Sequence, residues 1–107
     1  MKFRQYVRQI ERYQPDDYTL SYLGIGLSGK IGKFNNSLRQ YLQTNIARQC
    51  VEGMDDRKRD ELIYHLSEIL HYLSMASTKL GINLEDLAHK SILTVKSKFD
   101  IFSDIDV

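Results

Sequence analysis

One apolar stripe constrains this chain more than any other feature, because it keeps helical spacing across a glycine-rich stretch. Apolar residues recur every three or four positions from Leu20 to Leu42, which is the periodicity of one helix face. The stripe does not slip across "GLSGKIGK", residues 26–33, so we predict a single long helix there. Each glycine inside a helix costs about 1 kcal/mol relative to alanine. Either a neighbouring helix packs very close to these glycines, or a ligand approaches the helix surface. The glycines concerned are Gly24, Gly26, Gly29 and Gly32.

Helical patterns flank this long segment on both sides. A first helix is predicted from Phe3 to Tyr13, followed by a break at "QPDD". A third helix follows "EGMDD", with Asp55 or Asp56 as its N-cap. Gly81 then fits the left-handed position that ends a helix. The predicted inner face of the third helix has bundle spacing and comprises Leu62, Leu66, Ile69, Leu73, Ala76 and Leu80.

A fourth helix is predicted after Gly81, with Asn83 as its N-cap. Its predicted inner face comprises Leu84, Leu87, Ala88, Ser91, Val95 and Phe99. The four segments together predict an all-α fold, a four-helix bundle built on a long central hairpin of the second and third helices. Residues 1–99 form the single domain, and residues 100–107, "DIFSDIDV", form an acidic, aperiodic C-terminal tail that frays or docks on a neighbour.

The apolar stripe of the second helix exceeds what one chain of 107 residues is expected to cover. The chain also has seven tyrosines, whose amphipathic rings are favoured at interfaces. We therefore expect a homo-oligomer, either a homodimer or a homotetramer. The alternative is that these tyrosines line the edge of the core.

Composition limits the classes of partner. The net charge of +1 gives no global field that would attract nucleic acid or an anionic membrane. No apolar run approaches the length of roughly 18 residues needed to cross a bilayer, and the charged N-terminus lacks a signal-peptide core. Cys50 is the only cysteine, with no histidine near it in sequence to support nucleophilic catalysis. We expect a cytoplasmic protein with neither a membrane nor a nucleic-acid partner.

Three stretches carry a resemblance to a known family. They read "LGIGLSGKIGKFNNSLRQ" at residues 23–40, "HLSEILHYLS" at residues 65–74 and "LGINLEDLAHKSILTV" at residues 80–95. In that order and frame they resemble the MazG-type nucleoside triphosphate pyrophosphohydrolases. That resemblance implies an all-α fold and a dimer or tetramer. It also implies Mg²⁺-dependent hydrolysis of a nucleoside triphosphate to the monophosphate and pyrophosphate.

The positions that would carry the family's chemistry have changed. The family places four metal-binding carboxylates on the second and third helices, a further acid on the second helix and two substrate contacts on the fourth. Here those positions are Lys30, Lys33, His65 and Glu68, then Asn36, then Ser91 and Thr94. An ammonium group has no lone pair to offer a cation, and Mg²⁺ requires oxygen ligands. The resemblance thus predicts a catalytically inactive member of the fold with no cofactor, which acts by binding a nucleotide or a protein.

Three interpretations of the altered site remain open. Lysine and Glu68 form an ion pair in place of the metal, or Lys30, Lys33 and His65 hold a nucleotide phosphate without metal. In the third, the metal is a transition metal relocated onto the third helix, where His65, Glu68 and His71 stand at i, i+3, i+6. Three side chains at that spacing do not converge, but Glu61 precedes His65 by four residues, and a glutamate and a histidine one turn apart can share a metal. The competing functions are a pyrophosphohydrolase with an atypical site, which alone would need Mg²⁺, and a purely structural oligomerisation module.

Overall fold

Four helices make up the regular structure of the computed structural model, which describes residues 1–12, 18–44 and 54–105. They are α1 (Phe3–Glu11), α2 (Leu20–Thr44), α3 (Asp56–Lys79) and α4 (Leu84–Ile105). No strand occurs in these ranges, so the all-α prediction is confirmed. The predictions made for Tyr13, for the break at 14–17 and for Cys50 lie outside the described residues. None of the helices in the described ranges combines the length and the apolar character needed to cross a bilayer.

The predicted helix ends are confirmed by their hydrogen bonds. The Asp55 carboxylate accepts a hydrogen bond from the backbone N–H of Lys58 at 2.7 Å and caps α3. Gly81 adopts a φ of 77°, the left-handed conformation that glycine reaches at least cost. The Asn83 side chain then accepts from the backbone N–H of Asp86 at 2.8 Å and caps α4. These features depend on neighbours in sequence, which is why the pattern located them.

An antiparallel hairpin of α2 and α3 forms the centre of the molecule. Its buried apolar contacts come from both helices and comprise Leu23, Tyr41, Leu62 and Met75. Polar contacts follow the same antiparallel register, because Lys30 pairs with Glu68 and Ser37 pairs with Glu61. The predicted central hairpin is therefore present, and α2 runs without interruption through its glycines.

The other two helices extend this hairpin on one side only. Among the described residues, α1 and α4 contact α3 and each other, whereas α2 contacts α3 alone. The Cα radius of gyration is 17.3 Å, compared with about 13 Å for a compact domain of this size. The four helices consequently form an open bundle that leaves long faces uncovered within one chain.

The fourth helix departs most from its prediction. Its first turns are covered, since Leu84 is buried and Leu87 and Ala88 are half-buried, but residues 89–99 are all exposed. The outer half of the predicted inner face is therefore not covered within the protomer. The backbone stays helical to Ile105, so α4 continues six residues beyond Phe99, while the expected fraying or docking of this tail stays a prediction. Phe102 continues the apolar spacing of Val95 and Phe99, and this supports the longer helix.

The predicted inner face of α3 is only partly covered. Leu62 is buried and Ile69 and Ala76 are half-buried, but Leu66, Leu73 and Leu80 are exposed. The tyrosines are divided in the same way, since Tyr41 is buried whereas Tyr22 and Tyr64 are about half exposed. Ser74, Met75 and Ser77 are buried in α3 but lie outside the predicted face, so that prediction is only partly correct. One chain does not supply a partner for the exposed leucines.

Candidate functional site

The ion pair between Lys30 and Glu68 joins α2 to α3 at the position where the resemblance would put a metal. Lys30 Nζ lies 3.0 Å from Glu68 Oε2, and the two side chains are 20% and 22% exposed. Lys30 lies on the α3-facing side of α2, in line with Leu23 and Tyr41. Of the three interpretations of this site, the ion pair is the one that this geometry matches.

Both oxygens of the Glu68 carboxylate are engaged. Tyr64, one turn earlier on α3, donates its hydroxyl to Glu68 Oε1 at 2.8 Å. The Lys30 ammonium also lies 5.6 Å from the ring centroid of Tyr72, within range of a cation–π attraction. The site thus consists of the Lys30–Glu68 ion pair with the Tyr64 hydroxyl on the carboxylate and the Tyr72 ring beside the ammonium.

The charges of the pair reinforce each other. The hydrogen bond from Lys30 lowers the pKa of Glu68, and the nearby charge of Lys33 adds to the shift. The same hydrogen bond raises the pKa of Lys30. Donation to Glu68 raises the pKa of the Tyr64 hydroxyl, which therefore keeps its proton. At neutral pH the site holds an ammonium, a carboxylate and a neutral phenol.

Lys33 and Asn36 lie progressively farther around α2 from the face that contacts α3. Lys33 is exposed, but it is close enough to act electrostatically on Glu68. Asn36 is also exposed, and its side-chain oxygen accepts a hydrogen bond from Arg39 Nη2 at 2.7 Å on its own helix. In the protomer, Asn36 therefore has its described hydrogen bond away from Lys30 and Glu68, and its place in the site stays a prediction. Steps of three residues rotate by about 60° around a helix, so the third member of the series turns away from α3.

His65 belongs to a second polar cluster nearer the loop end of the hairpin. Its Nε2 lies 3.9 Å from Glu61 Oε1, and the side chain is 16% exposed. Ser37 donates to the same Glu61 oxygen at 3.0 Å, and Lys58 Nζ lies 3.4 Å from the other oxygen. The hydrogen bond from Ser37 is the main cause of the lowered pKa of Glu61. The carboxylate nearest to His65 is therefore that of Glu61 and not that of Glu68.

Ser91 and Thr94 lie on the far side of α3 from the ion pair. Both are exposed on α4, where the Thr94 hydroxyl donates to the backbone carbonyl of Lys90 at 2.9 Å. They line a groove of about 650 Å³ together with Leu70 and Leu73 of α3. Since α4 does not contact α2 in the described residues, one chain does not bring these two residues to Lys30. Their predicted place in the same site stays a prediction, which one protomer alone does not satisfy.

The glycines of α2 have different surroundings. A Cβ on Gly26 would collide with Cε1 of Tyr72, so the ring lies directly against the bare backbone. A Cβ on Gly24, Gly29 or Gly32 would meet no atom within 4 Å. Close approach of a neighbouring helix therefore explains Gly26 alone. The other three face open space in the protomer.

The residues present do not suit Mg²⁺. The described residues contain no group of three or more histidine, cysteine, aspartate or glutamate side chains placed to hold a metal. Glu68 is the one carboxylate at the family position, and Lys30 and Tyr64 occupy its two oxygens. An ammonium 3.0 Å from that carboxylate repels a divalent cation. His65 lies beside Glu61, whereas the His71 ring packs against Tyr72, so His71 does not join His65.

Four contributors to these clusters were absent from the predicted interpretations of the site. Tyr64 and Tyr72 lie one turn before and after Glu68, Ser37 follows Lys30 by two turns, and Lys58 precedes His65 by two turns. Spacings of four and seven residues from the predicted positions would have found all four. The resemblance does not include them, because it concerns only the positions where the family has acidic and substrate-binding residues.

Comparisons with models of known families, with curated proteins and with solved structures find no match for this chain. The likeness to MazG-type enzymes consequently depends on the three sequence stretches quoted above.

Proposed function

We propose that this chain is a non-catalytic protein of the MazG-like fold, which acts by binding and works as a homo-oligomer. The observation that carries the proposal is the engagement of both Glu68 oxygens, one by Lys30 at 3.0 Å and the other by Tyr64 at 2.8 Å. A carboxylate used in this way links the two central helices. It is no longer available to coordinate a catalytic ion.

Protein interaction is the favoured mode of binding. A phosphate held without metal would have to compete with Glu68 for Lys30, because that ammonium is already paired. Lys33 remains as an exposed cation, and a single exposed ammonium holds a phosphate weakly in water. In contrast, α3 and α4 expose large apolar side chains, including Leu66, Val95 and Phe99, which is typical of surfaces that bind protein.

The first test is catalytic. The chain is incubated with a panel of dNTPs and NTPs in Mg²⁺ or Mn²⁺, and pyrophosphate is measured. We expect no release above the protein-free blank. Turnover that rises with protein concentration and is abolished by EDTA would overturn the proposal and favour the pyrophosphohydrolase. Thermal shifts with the same nucleotides in EDTA test metal-free binding, and we expect no salt-sensitive stabilisation.

The second test restores the missing acids. The variant Lys30→Glu/Lys33→Glu/His65→Glu puts three carboxylates beside Glu68, and we expect it to bind Mn²⁺ in calorimetry where the natural chain does not. A control variant with Arg8→Glu, Arg57→Glu and Lys96→Glu adds similar negative charge at exposed, scattered positions. Equal Mn²⁺ binding by the two variants would show that added negative charge alone causes the binding. It would contradict the inference that these positions form the family's metal site.

A further inference from the structure

The exposed part of α4 is a long amphipathic helix without a covering partner in its own chain. Residues 89–99 are exposed throughout, and the exposed fractions of Val95 and Phe99 are 49% and 67%. Most of the stability of a helix in a protein comes from the packing of its amphipathic face. Burial of the stripe formed by Ser91, Val95 and Phe99 would therefore stabilise the outer half of α4.

The area exposed by the chain is too large for a small ligand to account for it. The chain exposes 8529 Å², whereas a compact monomer of 12.5 kDa exposes about 6,200 Å². The excess of about 2,300 Å², summed over the whole chain, is of the size that one partner contributes to an obligate homodimer. Burial of this amount between two copies is enough for a stable assembly.

The α3–α4 groove lies beside the same stripe. It has a volume of about 650 Å³, with an apolar floor that includes Leu70, Leu73 and Leu87. Ser91 is a small residue on the wall of this groove. A large side chain that approaches from outside opposite Ser91 would enter the groove and meet this floor.

We infer that a second copy of this chain covers the groove, with the two α4 helices crossing antiparallel about a twofold axis at Val95. Ser91 and Phe99 are each four residues from Val95, so such an axis sets Phe99 of each copy opposite Ser91 of the other. Each Phe99 ring fills the groove of the opposite copy. The arrangement is isologous, as expected for a closed dimer. It specifies the interface of the homo-oligomer in the proposed function.

The experiment measures the mass of the full chain by light scattering after size exclusion. Val95→Asp and Phe99→Asp each put a charge into the interface, and we expect them to raise the dimer dissociation constant by roughly 100-fold or more. Leu93→Asp is the matched control, because Leu93 is equally exposed but lies about 160° around α4 from Val95. The natural chain and Leu93→Asp should have twice the mass of 12.5 kDa.

A natural chain that stays monomeric at 50 µM or so would overturn the inference, leaving the groove to another ligand. So would a Val95→Asp or Phe99→Asp variant that retains the natural mass. Cross-linking keeps the test decisive if an aspartate variant misfolds. In a Cys50→Ser background, Val95→Cys should form a disulfide-linked dimer on oxidation and Leu93→Cys should not. Retention of the natural mass by the aspartate variants would overturn this interface alone, whereas a monomeric natural chain would also remove the homo-oligomer from the proposed function. The catalytic assay tests the non-catalytic part of that proposal independently.

Discussion

The α2–α3 hairpin and the outer half of α4 have similar sequence patterns but very different surroundings. Both are long amphipathic helices with apolar residues every three or four positions. In the hairpin, buried apolar side chains and two polar clusters connect the facing surfaces. In α4, every residue from 89 to 99 is exposed, and the exposed fractions of its large apolar side chains run from 49% for Val95 to 67% for Phe99. Periodicity shows which face of a helix is apolar, whereas only packing shows what covers that face.

The largest expected difference separates a covered from an uncovered side chain on α2. Leu23 is 0% exposed and Ile25 is 76% exposed. Leu23→Ala should lower the free energy of unfolding by about 2–5 kcal/mol, because it leaves a cavity in the hairpin. Ile25→Ala should change it by less than about 0.5 kcal/mol. Urea titration measures both, at one fixed protomer concentration because association shifts stability. Equal losses would mean that the hairpin core is misidentified.

The glycines sharpen the comparison within one helix. Gly26→Ala places a methyl group against the Tyr72 ring, and the resulting overpacking is expected to cost about 1–3 kcal/mol, partly offset by improved helix propensity. Gly29→Ala meets no atom within 4 Å, so it should stabilise α2 by up to about 1 kcal/mol. The same urea titration decides the sign. A stabilising Gly26→Ala would contradict the close approach of Tyr72.

The ion pair gives a smaller effect. Lys30→Met and Glu68→Gln with the double variant form a thermodynamic cycle for the contact at 3.0 Å. We expect a coupling of about 0.5–1 kcal/mol, since both side chains keep contact with water and the pair is partly screened. The coupling should fall between 0.05 and 0.5 M NaCl or so. A salt-independent coupling would argue against an electrostatic link.

The pH dependence of that coupling should be the smallest effect. The pKa of Glu68 is lowered from 4.5 by Lys30, so its contribution is present above 4.5 and is lost as the pH falls through the lowered pKa. The pKa of Lys30 is raised from 10.5, so its contribution is present below 10.5 and is lost as the pH rises through the raised pKa.

Urea titrations between pH 7 and pH 2 measure the acidic limb. The stability advantage of the natural chain over Glu68→Gln should shrink by less than about 1 kcal/mol over this range. An advantage that does not change down to pH 2 would show that the lysine does not act on this carboxylate.

The sequence predicted the local features of the fold correctly and the longer-range ones only in part. Asp55, Gly81 and Asn83 were placed as helix ends because each acts on backbone groups within three residues. The central hairpin followed from two long stripes of matching spacing. The continuation of α4 beyond Phe99 was missed, because the acidic composition of the last residues was given more weight than their apolar spacing.

The sequence predicted the central pair of the candidate site but not the residues that surround it. Lys30 and Glu68 were proposed as a pair, and they form one. Asn36 was grouped with them by three-residue spacing, which drifts around the helix and leaves the interface. Ser91 and Thr94 were grouped with them by resemblance to a family, which does not define what a single chain brings together.

Tyr72 also determines how far α2 can slide along α3. Its ring occupies the space above the bare backbone of Gly26, with the Lys30 ammonium beside it. A shift of one helical turn in either direction would bring the ring against position 22 or position 30, where Tyr22 and Lys30 carry large side chains. The two helices thus have a single longitudinal alignment, and any motion of the hairpin must be a bending or a separation rather than a translation.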